Sequence, residues 1–283
     1  MELRLFMRKI RVGICGLTTL ILFFAQDGNA QTLSKGFKDS LLKDGLQLYK
    51  MMRFAELTSN EMMDRFRLVE FSGSLTYIQN KVYKSIFFDE DESKYWVEKT
   101  FYGVPDSSPD SIKVDHKVRR PTKDEKYLID VRSKTYETLR GDTSYFKKYK
   151  GYKFNLVLMD HDNYVDVYIF TGNKREENMP LGNDYILTFD QKVRIIGKKK
   201  IHSGLFLVPM TSASQIAGRK AAQLTILDAE DEAVPYITST DICTALMHKE
   251  KVDWDIFEIV TTKYTSRLDT KKVTLEITPV GKK

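Results

Sequence analysis

Asp160–His161–Asp162 is the most chemically suggestive triplet of the chain, because a histidine between carboxylates is the composition of a metal site or an oriented general base. On a strand, however, successive side chains point to opposite faces. His161 would turn away from both neighbours, and the triplet reads as a polar hairpin tip. His202–Ser203–Gly204 sets a serine beside a histidine. The strained turn that exposes a nucleophilic serine carries glycine two residues before and after it, where this chain has Ile201 and Leu205. That segment reads as a turn after a basic strand. Asp241, Cys243 and His248 offer the parts of a thiol site, but five helical residues put Cys243 and His248 about 140° apart around the axis. Cys243 therefore reads as a small buried side chain. The acidic run Asp89–Glu90–Asp91–Glu92 lacks the Gly and terminal Glu of a calcium loop and reads as a solvated turn. Arg140–Gly141–Asp142 matches an adhesion tripeptide, yet Gly141 is also placed to end a helix. No catalytic, metal or cofactor motif emerges.

The strongest claim to recognition belongs to Tyr145–Phe154, where aromatic residues alternate with Lys147, Lys148, Lys150 and Lys153. Aromatic faces stack on sugars or bases, and ammonium groups attract phosphate or carboxylate. The candidate binding residues are Tyr145, Lys147, Lys148, Tyr149, Lys150 and Tyr152. The competing reading is a loop whose tyrosines pack and whose lysines are solvated.

These residues must be positioned by an α+β framework. Leu41, Leu48 and Met52 form an apolar stripe that predicts an amphipathic helix over 34–57, with Gly45 inside it at a cost of about 1 kcal/mol relative to alanine. Thr58 and Glu61 have capping-box spacing, predicting a second helical start at Ser59. Leu75–Ile78, Tyr83–Phe88 and Tyr95–Tyr102 read as strands, followed by a surface loop at Pro105–Asp110. Thr122 and Glu125 open a helix that Leu128, Val131, Thr135 and Leu139 continue. Strands follow at Phe154–Met159, Tyr164–Thr171, Asp184–Phe189, Val193–Ile196 and Gln223–Leu227, with polar turns at Asp160–Asn163 and Asp190–Lys192. Thr240 is placed to cap a helix over Asp241–His248. A last hairpin joins Ile256–Tyr264 to Lys272–Thr278 through Asp269–Lys271. The expectation is antiparallel sheet with an N-terminal amphipathic helix and one or two further helices. Residues 31–283 form one α+β domain in this reading, or two lobes divided near 141–150.

The first 30 residues have the three regions of a secretory leader: Arg4, Arg8, Lys9 and Arg11, then the charge-free Val12–Ala25, then a polar stretch ending in Asn29–Ala30. Cleavage after Ala30 would start the mature chain at Gln31. It would remove four basic and two acidic residues, lowering the net charge from +6 to +4, an ordinary mixed surface and not a nucleic-acid footprint. Only Cys243 would survive, so no intramolecular disulfide can form. No second long apolar run follows, and an exported chain is an improbable partner for chromosomal nucleic acid.

Leu181–Gly182–Asn183–Asp184–Tyr185 with Thr188–Phe189–Asp190, then Lys198–Lys199–Lys200–Ile201–His202, and later Thr240–Asp241–Ile242–Cys243–Thr244 before Lys263–Tyr264, resemble a group of uncharacterised exported proteins of Bacteroidetes-type bacteria. The resemblance implies a periplasmic or extracellular setting and brings neither an activity nor any functional residue. Two function classes stay open. One is a non-enzymatic cell-envelope module that binds a partner protein or an anionic glycan. The other is a hydrolase of envelope or extracellular polymer, whose dispersed carboxylates sequence order does not reveal.

Overall fold

The computed structural model describes residues 32–66, 71–91, 94–105, 111–173, 178–202, 204–211, 214–226 and 234–281. The leader, Glu92, Ser203 and all but Pro105 of the Pro105–Asp110 loop lie outside the described residues. Among those described, no helix is long and apolar enough to cross a membrane.

Helix α1 (Lys35–Phe66) runs without a break through the start expected at Ser59. The Thr58 hydroxyl does not cap a new helix. It donates back to the carbonyls of Phe54 (2.9 Å) and Ala55 (3.2 Å), while Glu61 pairs with Arg65 one turn later. Strands β1 (Gly73–Gln79), β2 (Val82–Asp91), β3 (Lys94–Gly103) and β4 (Lys113–Asp115) make an antiparallel meander. Asn80 and Lys81 close its first hairpin, both with positive φ, as a two-residue turn of the twist-matched type. Asp89, Glu90 and Asp91 belong to the end of β2 and not to a turn, and Asp89 accepts from the Ser72 N–H. Helix α2 (Lys123–Gly141) opens on the expected Thr122–Glu125 capping box.

The chain then forms β5 (Tyr152–Asp160), β6 (Tyr164–Asn173), β7 (Asn178–Gly182), β8 (Tyr185–Asp190), β9 (Ile195–Lys200) and β10 (Leu205–Pro209). β5, β6, β8 and β9 make a second antiparallel sheet, and β7 leaves it to pair with β10. A third sheet contains β11 (Ser214–Ile216), β12 (Arg219–Thr225), β13 (Ile256–Val260), β14 (Tyr264–Asp269) and β15 (Thr274–Pro279). Helix α3 (Ser239–His248) lies on the connection from β12 to β13, which pair in parallel. Its cap is Thr238, one turn before Asp241, and not Thr240. The strand expected over Ile256–Tyr264 ends at Val260, because Thr261 gathers the N–H groups of Lys263 and Tyr264 on its hydroxyl and folds the chain back.

Two apolar cores result. Helices α1 and α3 share the first with Phe87, Phe101, Val157, Phe170 and the third sheet. Helix α2 fills the second with Leu75, Ile86, Phe88, Leu158 and the inward residues of β6 and β8. Neighbouring residues of β2 (Phe87, Phe88) and β5 (Val157, Leu158) serve opposite cores, which accounts for strands buried on both faces. Within Gly141–Lys150, Phe146 is fully buried in the second core.

Candidate functional site

The first two sheets come alongside each other at β1 and β5 without forming a hydrogen-bonded ladder. At this seam lies a cavity of about 530 Å3, lined by Ser74, Leu75 and Thr76 of β1, residues 153 and 155–158 of β5, Arg132 and Tyr136 of α2, and facing turns of α1 and α3. Four methionines contribute to the wall: Met51, Met52, Met210 and Met247. Unbranched thioethers adapt to ligands of irregular shape.

Arg132 is the charged feature of this wall. Helix α2 buries Leu128, Ile129, Val131, Thr135 and Leu139, and Arg132 sits on the same stripe as Leu128, one turn on. Its guanidinium lies 4.8 Å from the ring centre of Tyr136 and 5.7 Å from that of Phe88. Among the described residues no carboxylate pairs with it and no acceptor takes its hydrogen bonds. Burial accordingly pulls its pKa below the ordinary value, with Tyr136 and Tyr95 opposing weakly. The Asn155 amide and the Lys153 ammonium also line the cavity and make no side-chain hydrogen bond to a described residue. Lys251 and His248 approach from the end of α3, where His248 Nδ1 donates to the Thr244 carbonyl at 2.9 Å. Glu56, the one carboxylate among the described residues of the lining, is already paired with Arg53 at 2.8 Å. The wall therefore combines apolar surface with an excess of cationic donors, a pattern that suits the anionic head of an otherwise apolar molecule.

The sequence candidates lie elsewhere. Tyr145 is half-buried, its ring against Phe146 and Tyr185 and under the ammonium of Lys198 at 3.8 Å. Lys147, Lys148 and Lys150 are exposed, and Tyr149 and Tyr152 are half-buried. The Lys147 N–H donates to the Tyr185 hydroxyl, and the Lys147 carbonyl accepts from Asn183, so this segment is pinned through its backbone. None of these six residues lines the cavity, although the segment runs directly into β5 and its Lys153 does. His161 stands at the β5–β6 hairpin tip, stacked on Tyr164 and 3.6 Å from Asp166, a residue of the returning strand. Asp142 of the adhesion-like tripeptide is paired with Lys198.

Cys243 is fully buried with its sulfur 3.4 Å from that of Met52, and burial raises its pKa well above the ordinary thiol value. His202 packs against Asp184 and Asp241 in a buried cluster apart from the cavity. Sequence reasoning missed Arg132 and the Asp184–His202 pairing. The readable signal for Arg132 was a basic residue on the apolar stripe of α2, and for the pair it was the register of the β8–β9 hairpin. The chain matches no known protein-family model, no curated protein and no solved structure.

Proposed function

We propose that this is an exported, non-enzymatic binding protein of the cell envelope whose cavity holds an amphiphilic anion, a carboxylate or phosphate head on an apolar body. One observation carries the reading: Arg132 lies half-buried at the wall of a methionine-rich cavity with aromatic rings and, among the described residues, no carboxylate against it. A half-buried guanidinium without a counter-ion is partly desolvated at a cost, and a ligand anion supplies the missing partner. The cavity volume of about 530 Å3 falls within the roughly 300–1,000 Å3 of small-ligand sites. The leader-like first 30 residues support export. The exposed Lys147, Lys148 and Lys150 lead into β5 and offer an attractive surface to the same class of anion, glycan-linked or lipid-borne. A hydrolytic reading needs two carboxylates or a His–Asp pair facing substrate, whereas the lone carboxylate of this lining is tied to Arg53.

The test is calorimetric titration of the chain from Gln31 with palmitate, hexadecyl phosphate and, as the uncharged control, hexadecanol. Hydrogen bonds to a charged group are worth about 1.5–3 kcal/mol, so Arg132→Gln should weaken binding of the two anions by about 10- to 150-fold and leave hexadecanol unaffected. Absence of anion binding by the parent protein, or equal anion affinity in Arg132→Gln, sinks the reading.

A further inference from the structure

A second site lies apart from the cavity, where three connections meet. Asp184 follows β7 in the short link to β8, and its carbonyl accepts from the Ile201 N–H at 2.8 Å, one step beyond the last β8–β9 pair. That extension of the ladder brings the next residue, His202, against the Asp184 carboxylate, with Nδ1 3.7 Å from Oδ2. On the far side of the ring, Nε2 lies 3.6 Å from Oδ2 of Asp241, a residue fixed in the first turn of α3 by the Thr238 cap. The three residues are 3%, 2% and 0% exposed, and one donor atom from each can be chosen so that all lie within 4.8 Å of one another.

Two observations point beyond a structural cluster. Asp241 uses Oδ2 for the Thr238 N–H and hydroxyl, both at 2.8 Å, while its Oδ1 is buried and without a hydrogen-bond partner. A buried carboxylate oxygen left bare in a folded core calls for a cation or an ordered water. Charge makes the choice. No lysine or arginine among the described residues pairs with either carboxylate. With both aspartates ionised and the imidazole neutral, the cluster would carry a deficit of two charges that burial penalises, and a protonated imidazole would remove only half of it. A divalent ion removes all of it and uses the imidazole in its neutral, metal-binding form. One imidazole and two carboxylates are ligands that Zn2+ accepts, at bonds of about 2.0–2.2 Å. A single ring nitrogen binds the ion, and with one donor atom chosen from each residue all three lie within 4.8 Å of one another. The edge of such a tetrahedron is roughly 3.3 Å, so side-chain movements of about 1 Å close the site, with the bare Oδ1 of Asp241 facing no other partner.

We propose that Asp184, His202 and Asp241 bind a structural Zn2+ that ties the β7–β8 link and the end of β9 to the first turn of α3. The donor set excludes the nearby Cys243 thiol, which faces Met52.

The experiment uses the untagged chain from Gln31, unfolded and refolded with Zn2+, with Mn2+ or with chelator, because so closed a site loads best during folding. Elemental analysis after desalting should find one equivalent of zinc per chain, and the zinc-refolded protein should melt at a higher temperature than the chelator-refolded one. X-ray absorption of the parent zinc protein should show nitrogen and oxygen neighbours, including one imidazole, and no sulfur. Asp184→Asn, checked for folding by circular dichroism, should weaken Zn2+ binding by at least tenfold; it leaves the α3 cap intact. Refolded parent protein that holds no stoichiometric metal and melts alike in zinc and chelator overturns the proposal in favour of a buried imidazolium between two aspartates. Stoichiometric manganese without zinc, a sulfur neighbour, or unchanged zinc affinity in a folded Asp184→Asn variant also overturns it.

Discussion

Replacing Glu125 by glutamine removes the charge of a buried carboxylate that accepts four hydrogen bonds at the start of the helix that carries Arg132. The Glu125 carboxylate accepts from the Tyr77 hydroxyl (2.6 Å), from both terminal nitrogens of Arg119 (2.6 and 2.7 Å) and from the Thr122 N–H (2.7 Å). Burial alone would raise its pKa, but Arg119, Tyr77 and Thr122 outweigh that and hold it at about 2 against an ordinary 4.5. At about 1.4 kcal/mol per pH unit, that difference corresponds to about 3 kcal/mol of folding stability. Arg119 is 24% exposed, so solvent screening trims the figure to about 2 kcal/mol. Because the folded carboxyl titrates below its unfolded value, the stabilisation is complete above pH about 4.5. It is lost as pH falls from there towards about 2. Glutamine keeps an oxygen for the Thr122 N–H and so the capping box, but its NH2 meets an Arg119 nitrogen, so the variant removes the charge together with one hydrogen bond to the guanidinium. Urea unfolding followed by circular dichroism should place Glu125→Gln about 2 kcal/mol below the parent at pH 7, with the gap narrowing as pH falls from about 4.5 towards about 2. A gap that stays constant across that range, or one below about 0.5 kcal/mol at pH 7, refutes the argument. Glu125 also anchors the helix that carries Arg132 two turns on, so the variant should bind anionic amphiphiles more weakly at neutral pH.

Gly45→Ala should destabilise the fold by about 1 kcal/mol despite alanine's better helix propensity, because the added Cβ would lie 2.6 Å from Cγ2 of Ile242 where α1 crosses α3; an increased urea midpoint would contradict this. Cys243 should react with a thiol reagent slowly in the native protein and rapidly once denatured, and fast native labelling would show that the thiol is accessible and not sealed by α1 and α3.

The elements that could be read from the chain are those whose own pattern decides them. β1 to β3 alternate aromatic and β-branched residues between polar turns, and the Thr122–Glu125 box is reproduced in both of its hydrogen bonds. β4 and β11 have three residues each, too few for a pattern. β7 contains Pro180 and ends at Gly182, and β10 ends at Pro209, so both resemble turns until they pair with each other. The cap of α3 was legible in principle, since Thr238 and Asp241 have the same spacing as Thr122 and Glu125, but Ser239 and Thr240 offered competing hydroxyls. The opposite error occurred at Thr58 and Glu61, where the same spacing sits inside a helix and the hydroxyl serves the preceding turn. Capping chemistry thus depends on whether the backbone N–H groups are already taken, which is a tertiary fact.

The site residues follow the same logic. Glu125 and Arg132 are charged residues seven apart on one helix; local sequence marks Glu125 as half of a capping box and gives Arg132 no role. The fold gives Glu125 a guanidinium, a phenol and a backbone donor, whereas Arg132 receives two aromatic rings. That asymmetry arises because β1 supplies Tyr77 against the first turn of α2, while farther along the helix β1 and β5 part without pairing. A satisfied charge holds the helix in place, and under the proposed function the charge on the open seam keeps its hydrogen-bonding capacity for a ligand that enters it. Under that proposal stability and binding are carried by two sites about two turns apart on one helix, and perturbing the first should be felt at the second.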